Sequence, residues 1–509
     1  MRSKISLFAT NLKIWGSCSG FAAFSFHVPV SISPNLIEKK PVTMKEPRQD
    51  LLWLADHCPE FKVSSRNIKV LQEPSEFFQT LKELSRTSQR RITLASLYIG
   101  TGPLEKELVS SISEGLEQSR GKLQVKILLD HTRGSRGKEN SRTLLLPLLK
   151  NYPSQIEVSL YHTPKLRGFI KWLLPERWNE TIGLSHLKVY LFDDTLILSG
   201  ANLSDQYFYN RQDRYIMFQN CKELCDYFDN VVSAISSMSF LLKPNNTEIL
   251  HPGWSIHPSE GDYTDFISRA RQSLQCLIQP KQHFITSTSE EISDSASEGD
   301  TFVYPLLQMY TFGIRQDEQA VEKFLRLAEP DSKIKLASGY FNLTNHYMNI
   351  ILKSSKALYS LLVASPKVNG FYGASGVAGG IPSAYTHIAK SFFAKVLSYR
   401  QQDRIKLCEY ERPDWTFHVK GLWYYKPNES LPTVTFIGSP NFGYRSVYKD
   451  LEAQVAIVTT NKDLQQQLHD EQQRFYDRTV VIQKELFERS DRKVPSWVKL
   501  VTFFFRYFF

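Results

Sequence analysis

Two short segments of the sequence carry the same pair of side chains, a histidine and a lysine two residues apart. The first reads His186-Leu-Lys188 and the second reads His418-Val-Lys420. Side chains two residues apart share one face of an extended strand, so each pair points into a single pocket. Imidazoles can attack phosphorus or move protons, and ammonium groups can hold phosphoryl oxygens. The two pairs together therefore suit the exchange of phosphate esters.

Each pair is followed by a turn of small residues that contains an asparagine, and then by an acid. Asn202 precedes Asp213 by 11 residues, and Asn441 precedes Glu452 by the same 11 residues. The amides can bind non-bridging oxygens, and an acid bonded to the far ring nitrogen can fix the tautomer of a histidine. Asp193 follows the first motif, so the first half holds more of the candidate catalytic residues than the second half does. Two copies with equal spacing point to one shared site.

The residues around these motifs repeat as well, which indicates that two related halves position them. Strand–loop–helix patterns begin near residues 90 and 332. Further strand-like runs follow at 122–129 and 155–162 in the first half, and at 357–365 and 404–411 in the second. Strands that alternate with helices predict an α/β fold. We expect two pseudo-symmetric α/β/α lobes in one chain, with the active site at their interface.

The composition is that of a large globular protein that favours anionic partners. The 509 residues are 42% hydrophobic and 22% charged, which excludes disordered and fibrous classes. The net charge of +10 attracts nucleic acid, anionic lipid or phosphorylated substrates. No basic stripe interleaved with stacking aromatics accompanies the charge, so no nucleic acid is expected. The cysteines lack zinc-site spacing, and neither a metal nor another cofactor is expected.

The two ends of the chain predict its location. The first 37 residues contain no Asp or Glu but carry Arg2, Lys4 and Lys13 among serines and apolar residues. This composition is typical of a mitochondrial transit peptide, with a disordered terminus or a secretory signal as alternatives. No apolar run is long enough for a transmembrane helix. The aromatic and basic residues of 497–509 favour contact with an anionic membrane surface, or else a terminal element docked on the fold.

These features predict an organisation along the chain. The expected parts are a transit peptide and linker at 1–45, a first lobe at 46–240, a connecting region at 241–315 with an acidic, serine-rich loop at 286–300, a second lobe at 316–490, and a tail at 491–509. Within the first lobe, the segment 165–183 mixes apolar and basic residues. That mixture suits either a membrane or acyl-chain contact or a helix packed on the core.

Two glycine-containing loops are candidates for phosphate binding. The first follows a predicted strand and precedes a predicted helix, where backbone N–H groups can face a phosphate, although a plain turn fits equally. The candidate nucleotide- or phosphate-binding residues of this loop are Ala95, Ser96, Leu97, Tyr98, Ile99, Gly100, Thr101 and Gly102. The second loop, 369–380, has five glycines in 12 residues and lies near Lys367. It can wrap a phosphate or form a surface loop.

Together these motifs resemble the phospholipase D superfamily, whose HxKxxxxD motif is followed by a GxN-type turn. Within it, the sequence is similar to the mitochondrial phosphatidylglycerophosphate synthase family over roughly 50–490. The segments that carry the resemblance are LYIGTGPLE (97–105), LLDHTRGSRG (128–137), HLKVYLFDDTLILSGANLSDQYF (186–208), HVKGLWYY (418–425) and GSPNFGYRS (438–446). One departure from the superfamily pattern is Tyr425, which stands where the second motif would place an acid.

The resemblance implies a transferase that uses CDP-diacylglycerol and glycerol 3-phosphate and gives phosphatidylglycerophosphate and CMP, on the route to cardiolipin. It implies that His186 attacks the diacylglycerol-side phosphorus and forms a phosphohistidine. His418 would act as general acid and then base, with the reverse assignment left open. The implied catalytic residues are His186, Lys188, Asp193, His418 and Lys420, supported by Asn202, Asn441, Asp213 and Glu452. The implied location is mitochondrial, peripheral on the inner membrane.

Two other functions remain open at this point. One is a phospholipase D-type phosphodiesterase that acts on lipid or nucleic acid, which the basic charge permits. The other is a non-catalytic lipid-binding scaffold that keeps the fold, and Tyr425 is its only support.

Overall fold

The computed structural model of the chain describes residues 49–168, 179–280 and 299–508. The predicted leader at 1–45 lies outside these residues, as do most of the loop at 286–300 and the middle of the segment at 165–183. Residues Pro47–Phe509 form one compact unit. None of the helices in the described residues combines the length and the apolar character that crossing a bilayer requires.

The strands of the described residues form two large sheets and one short strand pair. In chain order they are β1 (Phe61–Val63), β2 (Ile68–Leu71), β3 (Arg91–Ala95), β4 (Gln124–Asp130), β5 (Ile156–Tyr161), β6 (Val189–Phe192), β7 (Thr195–Ser199), β8 (Arg211–Gln212), β9 (Tyr215–Phe218), β10 (Phe240–Leu242), β11 (Glu248–Leu250), β12 (Thr301–Met309), β13 (Ile314–Arg315), β14 (Lys333–Ser338), β15 (Leu358–Ala364), β16 (Ile405–Tyr410), β17 (Thr416–Phe417), β18 (Lys420–Tyr425), β19 (Val434–Gly438), β20 (Glu452–Thr459) and β21 (Thr479–Val481). The strand-like runs predicted in both halves are confirmed as β4, β5, β15 and β16.

Helices connect and cover these strands. The α-helices are α1 (Pro74–Thr87), α2 (Pro103–Gln118), α3 (His131–Gly134), α4 (Ser141–Asn151), α5 (Asp205–Tyr209), α6 (Lys222–Ser237), α7 (Tyr263–Gln275), α8 (Gln316–Leu327), α9 (Asn345–Asn349), α10 (Ile381–Ser398), α11 (Tyr444–Tyr448), α12 (Lys462–Tyr476) and α13 (Ser496–Phe505). Short 3₁₀ turns occur at Gln49–Leu54, Ser65–Asn67, Tyr310–Phe312, Pro366–Val368, Gly376–Gly380, Lys484–Glu488, Ser490–Arg492 and Arg506–Phe508, and a π-helical turn at Ile350–Ser354.

Eight strands of the first large sheet, from β10 to β2, and eight of the second, from β21 to β12, follow the same order, as the internal repeat predicts. The first runs β11-β10-β5-β4-β3-β6-β7-β9-β2, and the second runs β21-β16-β15-β14-β18-β19-β20-β12-β1, with β13 paired to β12. In each sheet three neighbouring strands are parallel, and the strand after the histidine–lysine motif lies antiparallel to the first of them. The predicted α/β class is confirmed. The division into two separate lobes stays a prediction.

Alternate residues along the central strands face two different cores. Val189 and Leu191 on β6 belong to one hydrophobic cluster with Trp423 and Tyr425 on β18. Tyr190 and Phe192, which alternate with them along β6, belong to a second hydrophobic cluster under the helices of the first half. Because these strands are buried on both faces, they read as near-continuous apolar runs. The shared inner cluster joins the two sheets and holds the strands that lead to the candidate site.

One strand of each large sheet lies within the region expected to connect the two lobes. β11 carries the first sheet to Leu250, and β12 joins the second sheet from within the predicted connecting region. The boundaries near 240 and 315 therefore stay predictions.

A buried ion pair also joins the two sheets. Arg214, just before β9, donates from Nε and Nη2 to the carboxylate of Glu471 on α12 at 3.0 and 2.8 Å. The same guanidinium donates to the carbonyl of Phe436 at 2.8 Å and lies 4.0 Å over the ring of Trp423. At Gly421, with φ +132°, a Cβ atom would overlap this guanidinium. Glycine is therefore required where β18 passes the ion pair.

Arg214→Met should strongly destabilise the protein, because it leaves the Glu471 carboxylate buried without a cation. We expect the free energy of unfolding to fall by about 3–5 kcal/mol, measured by denaturant unfolding of the full chain. The matched control is Arg326→Met, which removes an exposed ion pair with Glu322 on α8. That change should cost about 0.5 kcal/mol or less. Equal losses for the two variants would contradict a structural role for the buried pair.

Candidate active site

His186 lies just before β6, and an acid from the other half of the chain holds its ring. Nδ1 of His186 lies 2.9 Å from Oε2 of Glu452, the first residue of β20. The main chain is held as well, because the N–H of His186 donates to the carbonyl oxygen of Leu451 at 2.9 Å. A carboxylate acceptor at Nδ1 favours the proton on that nitrogen and leaves a lone pair on Nε2.

His418 lies just before β18 and has the corresponding arrangement. Its Nδ1 lies 2.6 Å from Oδ2 of Asp213, and its N–H donates to the carbonyl oxygen of Gln212 at 2.9 Å. Nζ of Lys420 lies 2.8 Å from the same Nδ1 and donates to the His418 carbonyl at 2.8 Å. The hydroxyl of Tyr207 lies 3.2 Å from Nε2. Polar groups thus surround the His418 ring at both nitrogens.

The acids are therefore exchanged between the two halves. Asp213, which follows the first motif along the chain, holds His418, while Glu452, which follows the second, holds His186. In both cases the histidine N–H bonds to the carbonyl of the residue directly before the acid. Short parallel pairings bring the segments together, β8 with β17 on one side and Ser185 with Leu451 on the other.

The two histidines differ in how accessible they are. The side chain of His186 is 13% exposed, whereas that of His418 is 4% exposed. Within the part of the chain that the structure describes, no hydrogen bond is found to Nε2 of His186, while Nε2 of His418 contacts Tyr207. His186 is therefore the histidine whose ring nitrogen a substrate can reach directly.

Burial sets the protonation of these groups more than any single neighbour does. It lowers the pKa of His186 despite the adjacent Glu452, and lowers the pKa of His418 well below its usual value, with Lys420 adding to the effect. Both imidazoles are therefore neutral near pH 7. Burial raises the pKa of Asp213 to about 6. Burial also opposes ionisation of Glu452, yet the interaction with His186 and the charge of Lys188 leave the pKa of that carboxyl below its usual value.

Two buried lysines supply positive charge beside the histidines. Lys188 and Lys420 are 2% and 1% exposed, and burial lowers the pKa of both ammonium groups. Nζ of Lys188 donates to the carbonyl oxygen of His186 at 2.6 Å. A phosphate placed beside buried ammonium groups restores the stabilisation they lose on leaving water. The pair is therefore suited to hold phosphoryl oxygens.

The asparagine turns approach the site closely. The side-chain amide of Asn202 donates to the hydroxyl of Tyr207 at 3.2 Å. In the described residues, the Oδ1 atoms of Asn202 and Asn441 are buried without a hydrogen-bond partner. A Cβ atom at Gly200 would lie 2.7 Å from both Oδ1 of Asp213 and Nζ of Lys420. The small residue predicted in this turn is therefore needed to leave room for the charged pair.

The structure does not bring Asp193 to the histidines. Asp193 lies in the turn between β6 and β7 with φ +52°, and its carboxylate accepts from the backbone N–H groups of Gln89, Arg90 and Arg91 at 2.8–3.0 Å. Its contacts are those of a residue that fixes a turn. In the second motif, Tyr425 donates to Oε1 of Gln472 at 2.9 Å. The absence of an acid there therefore removes nothing from the candidate site.

The predicted loop at 95–102 lies between β3 and α2, as expected, but acids cover its glycines. Cβ atoms at Gly100 and Gly102 would overlap the carboxylates of Glu105 and Asp205. Burial and the adjacent Asp205 raise the pKa of Glu105 to about 7. Carboxylates at this helix start disfavour a phosphate at the same place. The ring centroid of Tyr98 lies 4.1 Å from the guanidinium of Arg133, and the hydroxyl of Tyr98 lies 3.2 Å from Oγ of Ser204.

The glycine-rich loop at 369–380 reaches the site at one point. A Cβ atom at Gly370 would lie 2.9 Å from the hydroxyl of Tyr340 and 3.1 Å from Nη2 of Arg211. The ring of Tyr340 meets His418 edge-on at 5.3 Å between centroids. Lys367, which precedes this loop, is exposed, and its Nζ lies 3.8 Å from Oε1 of Glu411.

Sequence reasoning missed three side chains of the site, namely Tyr207, Arg211 and Tyr340. Tyr207 and Arg211 stand between the first asparagine turn and Asp213, so their position along the chain was a usable signal. No spacing rule distinguishes Tyr340, which contacts His418 only through the folded second half.

The sheets and the paired histidine–lysine motifs define a protein of the phospholipase D type. A relative from Homo sapiens, named CDP-diacylglycerol–glycerol-3-phosphate 3-phosphatidyltransferase, mitochondrial, is 50% identical over 477 residues, 90% of this chain and 85% of the relative. The relative of the same name from Gallus gallus is 51% identical over 481 residues, 90% of this chain and 86% of the relative. The chain belongs to the CDP-diacylglycerol–glycerol-3-phosphate 3-phosphatidyltransferase family.

More distant comparisons agree with this membership. The Saccharomyces cerevisiae enzyme of that name is 33% identical over 465 residues, 87% of this chain and 88% of the relative. The crystal structure of a phosphatidylserine synthase from Haemophilus influenzae has a TM-score of 0.68 and 19% identity, and covers 91% of this chain and 98% of that one. At that identity the likeness shows the fold alone. No family model matches the chain.

The pKa of Asp213 predicts an acid limit on catalysis. With a pKa raised to about 6, Asp213 is ionised above that pH and protonated below it, where it no longer accepts from Nδ1 of His418. We expect the catalysed rate to fall as the pH drops through about 6, and Asp213→Asn to abolish this dependence while lowering the rate throughout. Rate profiles from pH 5 to 8 test this. A wild-type rate that holds to pH 5 would contradict it.

Proposed function

We propose that this chain transfers the phosphatidyl group of CDP-diacylglycerol to glycerol 3-phosphate and releases CMP, in mitochondria and on the route to cardiolipin. Its family membership supports the substrates and the reaction. The observation that carries the proposed mechanism is the set of contacts around the His186 ring. Glu452 holds its Nδ1, and its Nε2 is unbonded within the described residues. A ring in this state is a nucleophile.

In the first step, Nε2 of His186 attacks the diacylglycerol-side phosphorus. An N–P bond forms, the P–O bond to CMP breaks, and its electron pair leaves on the CMP phosphate. A phosphate with a second pKa of about 6 is a weak base, so this leaving group needs little protonation. The imidazolium that develops is stabilised by the Glu452 carboxylate at 2.9 Å.

In the second step, the primary hydroxyl of glycerol 3-phosphate attacks the same phosphorus. The new P–O bond replaces the N–P bond, and His186 returns to its neutral form. The hydroxyl proton passes to His418, whose lowered pKa keeps it unprotonated and ready to act as a base. Lys188, Lys420 and the two asparagines hold the non-bridging oxygens during both steps. CMP is the first product and phosphatidylglycerophosphate is the second.

The substrate is a membrane lipid, and the C-terminal helix α13 supports peripheral contact with the inner membrane. Val498 and Thr502 are buried against the fold, whereas Phe503 and Phe504 are 78% and 62% exposed. Trp497 and Leu500 are exposed as well. Aromatic side chains beside basic residues favour the lipid interface. The helix is thus docked by one face and free to enter a headgroup layer by the other.

The mechanism predicts that the first step runs without the acceptor. Purified protein should exchange labelled CMP into CDP-diacylglycerol in mixed micelles, and His186→Ala should lower this exchange about 10³-fold or more. The matched control is His346→Ala, a half-exposed histidine paired with Glu322, which should leave exchange unchanged. Loss of exchange in His418→Ala with retention in His186→Ala would reverse the roles. Formation of phosphatidic acid, unaffected by glycerol 3-phosphate, would instead mean a hydrolase.

The membrane proposal predicts that α13 controls binding to lipid. The double variant Phe503→Ser/Phe504→Ser should weaken binding to anionic vesicles tenfold or more, since each buried ring contributes about 1.5–3 kcal/mol. Vesicle flotation measures this. The control Leu327→Ser alters an exposed apolar side chain at the end of α8, and should bind as the wild type does. Equal binding by all three proteins would place the membrane contact elsewhere.

A further inference from the structure

Arg211 is a buried cation beside the candidate site that the proposed mechanism does not use. It begins β8 and is 8% exposed. Its Nε donates to the hydroxyl of Thr416 on β17 at 2.9 Å, and its guanidinium lies 4.7 Å over the ring of Tyr207. These contacts fix the position of the guanidinium beside Tyr207.

The charge of Arg211 is not balanced by a carboxylate. The other buried arginines of the described residues are paired, Arg214 with Glu471 and Arg492 with Glu409, at 2.8 and 2.7 Å. Within the same part of the chain, no ion pair includes Arg211. A buried guanidinium without a counter-charge is costly unless an anion comes to it. Arg211 therefore has the character of a ligand-binding cation.

Arg211 lies near His418, and the side chain of Tyr207 stands between the two. The hydroxyl of Tyr207 lies 3.2 Å from Nε2 of His418, and the guanidinium of Arg211 lies over the ring of Tyr207. A Cβ atom at Gly370 would lie 3.1 Å from Nη2 of Arg211. The backbone of the glycine-rich loop at Gly370 therefore lies close to this guanidinium.

We propose that Arg211, with the backbone at Gly370, binds the phosphate of glycerol 3-phosphate and so determines the choice of acceptor. This inference rests on the proposed function. His418 takes the proton of the attacking hydroxyl, and the acceptor's phosphate lies three carbons from that hydroxyl. Because Tyr207 separates Arg211 from His418, the guanidinium of Arg211 lies at a suitable distance to bind this distal phosphate. The reacting phosphoryl group is already served by Lys188 and Lys420. The forked guanidinium matches the oxygens of a phosphate.

Binding the acceptor there also assists the chemistry. The positive charge of Arg211 contributes, after burial and Lys420, to lowering the pKa of His418. A phosphate dianion at Arg211 offsets that charge and makes His418 a stronger base when the acceptor is present. Glycerol, which lacks the phosphate, gains neither the binding nor this effect.

The test compares the acceptor step with the CMP exchange step in the full chain. Arg211→Gln should raise the KM for glycerol 3-phosphate about 10- to 100-fold, the loss expected for a charge-assisted hydrogen bond. This rise should exceed any change in CMP exchange without acceptor by about tenfold or more, because that exchange involves no acceptor phosphate. Arg211→Lys should give an intermediate KM for glycerol 3-phosphate, since lysine keeps the positive charge but lacks the forked guanidinium. The control Lys367→Gln removes an exposed cation near the same loop and should match the wild type.

A second variant keeps the test valid if Arg211 substitutions unfold the short β8–β17 pair. Gly370→Ala leaves the arginine in place but puts a methyl group against its Nη2, and should also raise the KM for glycerol 3-phosphate. An unchanged acceptor KM in the folded variants overturns the inference. An equal rise in the KM for CMP during exchange also overturns it, because the cation would then serve the leaving phosphate. If the wild type shows no CMP exchange, the phosphohistidine step is refuted. The KM for glycerol 3-phosphate in the variants would then still test the role of Arg211 by itself.

Discussion

Each histidine of the site is held by a carboxylate from the other half of the chain, and this exchange is the constraint on which the rest of the structure depends. On each side, two interactions hold the histidine. The ring contacts the carboxylate, and the backbone N–H donates to the carbonyl oxygen of the residue before the acid. Neither half alone contains a histidine with its partner. The two sheets must therefore be fixed relative to each other within the tolerance of a hydrogen bond. The shared apolar cluster and the buried Arg214–Glu471 pair provide that rigidity.

The repeated sequence gives two similar motifs, yet their surroundings make them chemically different. His186 is the more exposed ring and keeps an unbonded Nε2 within the described residues, while His418 is enclosed by Asp213, Lys420 and Tyr207. These differences support the proposal that His186 attacks phosphorus and that His418 transfers a proton. Such a division resembles other paired catalytic groups, in which environment rather than residue type assigns the roles. The uncompensated charge of Arg211 adds a further asymmetry on the His418 side.

Much of this arrangement could be predicted from the sequence, because it depends on local spacing. Alternation in a strand places His186 with Lys188, and the four strand-like runs correspond closely to β4, β5, β15 and β16. The pairing of acids with histidines could not be predicted. Each acid could bond the histidine of its own half or that of the other half, and separation along the chain carries no information on that choice. Asp193 was misjudged for a related reason, since a carboxylate that accepts backbone N–H groups and a catalytic carboxylate share one residue type. Arg211 could not be singled out because an unpaired charge is a property of the folded neighbourhood.

The exchange of acids is tested most directly by nitrogen NMR of the protein with ¹⁵N-labelled histidine rings. The ring nitrogens of His186 and His418 report which side chain each Nδ1 contacts. If the halves exchange their acids, Glu452→Gln shifts the ring nitrogens of His186 and leaves those of His418 nearly unchanged, while Asp213→Asn does the reverse. If Asp213→Asn instead shifted the ring nitrogens of His186, each half would complete its own site and the exchange of acids between the halves would be refuted.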